Sequence, residues 1–196
     1  MLLLLTACLA AVHPIPGTQP QQLLGQVAFE LPQDWEVVVN NRAFGNHHVL
    51  LRSPPAQQAV VTIDLVREGR RTRELDLRIV AETYALDRGR SLDIEAKLLA
   101  HHQLEVADRE AWAVTVQRRH GPNEQLASTV ALRGSEHLAL LTLSTPLEAG
   151  VAAAVPWGQI LDSFALPGDP VDPNAPIFPR DAELENELDG LPSGGL

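Results

Sequence analysis

The chain has 196 residues, of which 45% are hydrophobic, and a formal net charge of -10. The length suits one or two domains with room for a real core, and no stretch after the N-terminus approaches the roughly 20 apolar residues that span a bilayer. Charge is uneven: from Asp169 onward seven acidic residues face one basic residue, Arg180, so the tail carries -6 and the remainder -4. An acidic chain argues against nucleic acid as a partner, because phosphate binding needs a basic face. One cysteine in the chain excludes an internal disulfide and a cysteine-built zinc site.

That cysteine lies at the start, in MLLLLTAC. Leu5-Thr6-Ala7-Cys8 resembles the lipobox of bacterial lipoproteins, an aliphatic residue and two small residues before cysteine. The resemblance implies cleavage before Cys8, lipid on its sulfur and a place in the bacterial cell envelope on the extracytoplasmic side. Acyl chains would hold the protein to a membrane by burying CH₂ groups, at roughly 0.8 kcal/mol each. A secretory signal has a basic region before its apolar stretch, and no Lys or Arg precedes Cys8. The expectation is therefore a remnant signal peptide over residues 1–7 whose true start lies upstream. The competing reading is a chance cysteine in an apolar N-terminus. Residues 8–25 then serve as a lipidated tether, because HPIPGTQPQQ, residues 13–22, is rich in Pro and Gln and favours extended backbone.

The folded body is expected over residues 26–167. Phe29–Pro32 and Trp35–Val39 read as strands, followed by His48–Arg52 and by Val60–Val66. In the last, Val61, Ile63 and Leu65 alternate with Thr62 and Asp64. A helix is predicted near Thr72–Arg88, with Leu77, Val80, Ala81 and Tyr84 on one stripe. Thr72 would cap its start and Gly89 would fit just past its end.

Four strands follow, near Ala96–Glu105, Ala111–Arg119, Gln125–Leu132 and His137–Ser144. Their short links predict an antiparallel meander. Trp112, Val114 and Val116 would share one face; Ala111, Ala113 and Thr115 would share the other, their small size suggesting a second packed layer. Thr145-Pro146-Leu147-Glu148 has the form of a capping box. It would open a helix that Pro156 breaks or kinks, with Trp157, Ile160, Leu161 and Phe164 along one face. The fold class is α+β: an antiparallel sheet of about six or seven strands with two helical segments packed on it.

With FELPQDWEVV near the start, a helix after the first strands, the meander, and ILDSFAL at the close, the body resembles the PsbP-like α/β/α sandwich superfamily and its DcrB-like bacterial lipoproteins. The carriers are Phe29, Leu31-Pro32, Trp35 and Ser163-Phe164, within Val27–Leu166. The resemblance implies a non-enzymatic protein that binds other proteins: photosystem subunits, a small GTPase in nuclear import or secreted toxins in the known relatives. It brings no catalytic motif and no cofactor.

Chemistry is sparse. His47-His48 and His101-His102 are adjacent pairs, and neighbours on a strand point to opposite faces. The weak metal candidates are His48, His101 and His102, one from each pair meeting across a sheet. No serine lies in a nucleophile elbow. The basic cluster from Glu68 to Arg73 suits an anionic partner or lipid headgroups, but with Glu68 and Glu74 flanking it reads rather as a solvated loop, and the Arg118-Arg119-His120 run reads as an exposed strand end. Residues 168–196 form a Pro-rich acidic tail in which Leu184, Leu188 and Leu191 recur at i, i+4 and i+7. They suit either a short amphipathic helix docking on a partner or a solubilising disordered segment.

The expectation that follows is a lipid-anchored, non-enzymatic protein-binding or assembly module. A histidine-dependent metal-binding protein or enzyme and a soluble effector-chaperone-like binder are the alternatives.

Overall fold

Alternating residues of Val60–Arg67 are buried, and that period of two makes an extended strand with one face inward. The structure, a computed structural model, describes residues 19–23, 27–43, 46–69, 73–90, 95–120 and 122–166. The strands are β1 (Gln19–Leu23), β2 (Val27–Leu31), β3 (Glu36–Ala43), β4 (Asn46–Arg52), β5 (Val60–Arg67), β6 (Glu95–Val106), β7 (Arg109–His120), β8 (Asn123–Arg133) and β9 (His137–Pro146). Helix α1 (Leu77–Arg90) joins β5 to β6, and a 3₁₀ turn (Leu147–Ala149) leads into α2 (Gly150–Ser163).

Strands β3 to β9 form one seven-stranded sheet in the order β3-β4-β5-β9-β8-β7-β6. Every neighbouring pair is antiparallel. The chain leaves the centre at β5, crosses one face as α1, enters the far edge as β6 and returns as the meander until β9 pairs with β5. The predicted α+β class and the four-strand meander are both present. Gln19–Leu23, assigned to the tether, instead pairs with β2 as a separate two-stranded ribbon.

The sheet is packed on both faces. On one, α1 sets Ala81 and Ala85 over Ala127 and Ala131, with Val114, Val116, Leu138 and Leu140 around them. Four alanines at that contact let the helix backbone approach closely. On the other face, β2 and α2 bring Phe29, Trp157, Ile160 and Phe164 onto Val61, Ile63, Leu65, Leu132 and Leu141. Trp112, Val114 and Val116 lie on the α1 side and Ala111 and Ala113 on the other, as the alternation predicts. Two ties close the second layer. Ala28 and Ala165 exchange backbone hydrogen bonds at 3.1 and 2.8 Å. The Ser163 hydroxyl accepts the Glu30 amide at 2.8 Å and donates to the Gln159 carbonyl at 2.6 Å.

Both helix starts differ from expectation. Thr72 lies outside the described residues; Asp76 holds the first turn of α1, its carboxylate accepting the Arg78 amide at 2.8 Å and its carbonyl the Val80 amide at 3.1 Å. Gly89 is inside α1, not beyond it. The capping box does not form. Thr145 is buried in β9 opposite Leu126, because extending β9 along β8 completes the ladder, and α2 begins at Gly150 without a side-chain cap. Pro156 neither ends α2 nor interrupts it; the carbonyl it leaves unbonded belongs to Ala152, which is exposed to water.

Candidate functional site

At one end of the sheet the start of α1 overhangs the first residues of β7 and the end of β8. The overhang leaves an open groove of about 580 Å³. Leu75, Asp76 and Leu77 line it from the helix side, Arg109, Glu110 and Trp112 from β7, and Arg133 from β8. Register sets these positions. Trp112 lies beside Ala131, whose small side chain leaves its ring room, and Arg133 is two residues further along the same face. Arg109 begins β7 directly after a two-residue turn closed by the Val106 and Arg109 pair. Ala107 and Asp108 in that turn have φ of 53 and 55 degrees, the left-handed pair that a tight hairpin with right-handed twist demands.

An ion pair lies beneath the groove. Arg133 Nε donates to Glu68 Oε1 at 3.0 Å, and the Glu68 side chain is only 2% exposed. Arg109 in turn donates to the Arg133 carbonyl at 3.3 Å. Glu68 was expected in a solvated loop. It is buried because β5 ends against the β8–β9 turn, where its amide donates to the Glu136 carbonyl at 3.0 Å. The Arg133 guanidinium is thus held in place, and the groove combines apolar, cationic and anionic groups on a rigid support.

Two histidine contacts flank α1. On the β4–β5 side, His48 Nδ1 and Asp64 Oδ1 are 2.5 Å apart, and the Tyr84 hydroxyl donates to the other Asp64 oxygen. On the β6 side, His101 Nδ1 meets Glu82 Oε1 at 2.6 Å, and its ring stands edge-on to Trp112, with 6.2 Å between centroids. Each contact clamps α1 to the sheet through a carboxylate. His102 is exposed on β6 opposite Ala113. The idea that one histidine of each pair meets the other across the sheet fails on strand order. β4 and β6 are five steps apart, or about 24 Å at the usual strand spacing. Among the described residues no three His, Cys, Asp or Glu side chains gather in a way that could hold a metal ion.

Cys8 and the tail leucines Leu184, Leu188 and Leu191 lie outside the described residues. Arg118, read as part of a solvated strand end, is instead tucked under α1 and donates to the Ala85 carbonyl at 2.9 Å; Arg119 pairs with Glu124 across the β7–β8 hairpin as an exposed strand end does. The groove residues escaped sequence reasoning because they come from three separated stretches. A charge flanking each end of a strand was the one local signal, and it is common.

No family model matches the sequence, and no curated protein matches it. In structure the chain is similar to the cyanobacterial PsbP protein CyanoP of Synechocystis, with a TM-score of 0.59 and 15% identity over 83% of this chain and 98% of that one. It is also similar to the Ran-binding protein Mog1p of Saccharomyces cerevisiae, with a TM-score of 0.54 and 8% identity over 77% and 96% of the two chains. A third similar structure is LpqN of Mycobacterium tuberculosis, involved in cell envelope biogenesis, with a TM-score of 0.50 and 12% identity over 79% and 87%. At identities this low the likeness establishes the fold alone, a PsbP-like α/β sandwich.

Proposed function

We propose that this chain is a non-enzymatic binding module, held at a bacterial envelope membrane through lipid on Cys8, that captures a protein partner in the groove at the start of α1. The observation that carries the reading is the groove. Trp112 and Leu77 offer an apolar surface, while Arg109, Glu110 and Arg133 offer directional polar groups around it. Aromatic and arginine side chains in a preorganised pocket are the residues that dominate binding energy at protein interfaces. The fold is compatible with that use: Mog1p is described as Ran-binding and LpqN as involved in cell envelope biogenesis. The anchor rests on LTAC alone, with the start of β1 at Gln19 placing the ribbon 11 residues from Cys8.

The test is site-specific photo-crosslinking in the native cell. A crosslinking residue in place of Leu75, at the groove, should yield a discrete partner band. The same residue in place of Val38, exposed on the opposite edge strand β3, should not. Identical patterns at both positions would refute the groove as the capture site. Metabolic palmitate labelling that is lost in Cys8→Ser supports the anchor; label that persists in that variant, or never appears, removes it.

A further inference from the structure

We infer that the outward side of α2 is a lipid-contacting face that lays the anchored domain on a neutral bilayer, with the groove turned away from it; the inference rests on the Cys8 anchor proposed above. The first observation is an apolar surface left in water. From Ala149 to Leu161 the chain carries no charged residue, so α2 is apolar on nearly every side, yet only Ala153, Trp157 and Ile160 of it are buried. Val151 and Val155 are 87% and 68% exposed, more than any other large apolar side chain among the described residues. Leu147, 44% exposed, continues their line one turn earlier. A Cβ added to Gly158 would meet nothing within 4 Å, so the open face runs on for a further turn. A surface helix normally turns polar residues outward, and one that is apolar all round is normally covered.

The second observation is the chemistry of the face. Protein interfaces draw their energy from aromatic and arginine anchors. This face offers only Leu, Val, Ala and Gly, with Trp157 turned into the core. It suits an occupant without directional groups, such as acyl chains at the headgroup boundary. Glu148 and Asp162 stand exposed at its two ends and the chain carries -10, so the matching lipid is zwitterionic and not anionic. The Ala152 carbonyl that Pro156 leaves without its helix donor still needs water, which keeps the contact at headgroup depth. The third observation is where the tether starts. β2 packs in the same layer as α2, and β1 extends β2. Ala28 bonds with Ala165 and Glu30 with Ser163, so β2 advances as the chain steps back into α2, and the Leu31 end of β2 points toward Val155. Gln19 lies at that end, opposite Leu31. The 11 residues back to Cys8 span at most about 40 Å, so a lipid on Cys8 reaches the plane of the α2 face. Once the anchor holds the domain at the surface, a weak apolar contact is enough to orient it. α1 and the groove lie on the opposite face of the sheet, open to a partner.

The test joins the full chain through Cys8 to a maleimide lipid in phosphatidylcholine vesicles, a linkage that does not depend on lipidation in the cell. A diazirine amino acid in place of Val151 or Val155 should then form a phosphatidylcholine adduct, read by mass spectrometry, about fivefold or more above that at Val38 or Leu75. Adding Val155→Asp should abolish the adduct at position 151, because a carboxylate at that exposed site resists burial in lipid, while circular dichroism shows the fold unchanged. Equal adducts at every position would mean that the tether alone brings lipid near, and would overturn the inference. So would an adduct that survives Val155→Asp, or a crosslinked dimer from positions 151 and 155 in place of lipid, which would make the face a contact between two copies. The anchor and the face fail separately. An adduct confined to positions 151 and 155, with no palmitate label in cells, keeps the lipid face and removes the natural anchor. Palmitate label on Cys8 without the adduct keeps the anchor and removes the face.

Discussion

Replacing Arg133 by methionine keeps the aliphatic stem and removes the charge that faces Glu68. The Glu68 carboxylate is nearly inaccessible, at 2% exposure, and its Oε1 receives the guanidinium at 3.0 Å. Its other oxygen has no hydrogen-bond partner among the described residues, so Arg133 carries the compensation for burying this charge. At an effective dielectric near 20, two unit charges at 3.0 Å attract by about 5.5 kcal/mol. Much of that is offset by desolvation, and deleting one partner of a buried pair costs about 3–5 kcal/mol. Because Arg133 is itself 24% exposed, the lower end, about 3 kcal/mol, is expected. Urea denaturation followed by tryptophan fluorescence measures it, with an unchanged m-value as the check that the unfolded state is the same. The second half of the cycle is Glu68→Gln on top of Arg133→Met. It should recover more than half of the loss, because the stranded charge is then gone. A loss below about 1 kcal/mol in the single variant would refute the reasoning, since it would mean that Glu68 does not depend on Arg133.

Other expectations are more local. Ile160→Ala should cost about 3 kcal/mol by opening a cavity between α2 and the sheet, where Ile160 is fully buried; thermal melting checks it, and a loss under about 1 kcal/mol would mean that α2 is not packed as described. Thr129 and Thr142 share a buried hydroxyl contact at 3.0 Å, so either Thr→Val change should cost about 1–2 kcal/mol and the double change less than the sum; additive losses in the denaturation cycle would sink the pairing. Tyr84→Phe removes the donor to Asp64 and should cost about 1 kcal/mol, with faster hydrogen exchange in α1 as the readout. Asp108→Gly relieves an exposed left-handed position and should gain about 0.5–1 kcal/mol, seen as a melting temperature raised by about 2–4 °C.

The strands β4, β5, β7, β8 and β9 were legible from sequence because their information is local. Side chains two apart share a face, so apolar alternation in Val60–Arg67 and the contrast between Trp112 and its alanine neighbours specify both the strand and its two sides. The stripe Leu77, Val80, Ala81 and Tyr84 specified α1 for the same reason, at a period of 3.6. Capping was also local, yet it misled. Thr145 through Glu148 carry every residue a capping box wants, but Thr145 already completes the β9 ladder beside Leu126. That backbone pairing outweighs one side-chain hydrogen bond.

What only the tertiary structure decided depends on strand order. Nothing local in β5 or β9 says that they are neighbours, or that His48 and His101 end up five strands apart. The groove is of this kind: residues 75–77, 109–112 and 133 meet because α1 crosses the sheet just where β7 begins and β8 ends. Glu68 shows the same limit, since a glutamate in an arginine-rich loop reads as solvated until the β8–β9 turn closes over it and Arg133 arrives from 65 residues away. Burial is a property of the assembled surface, so the chain's local pattern determined its elements while the packing of distant elements determined its site.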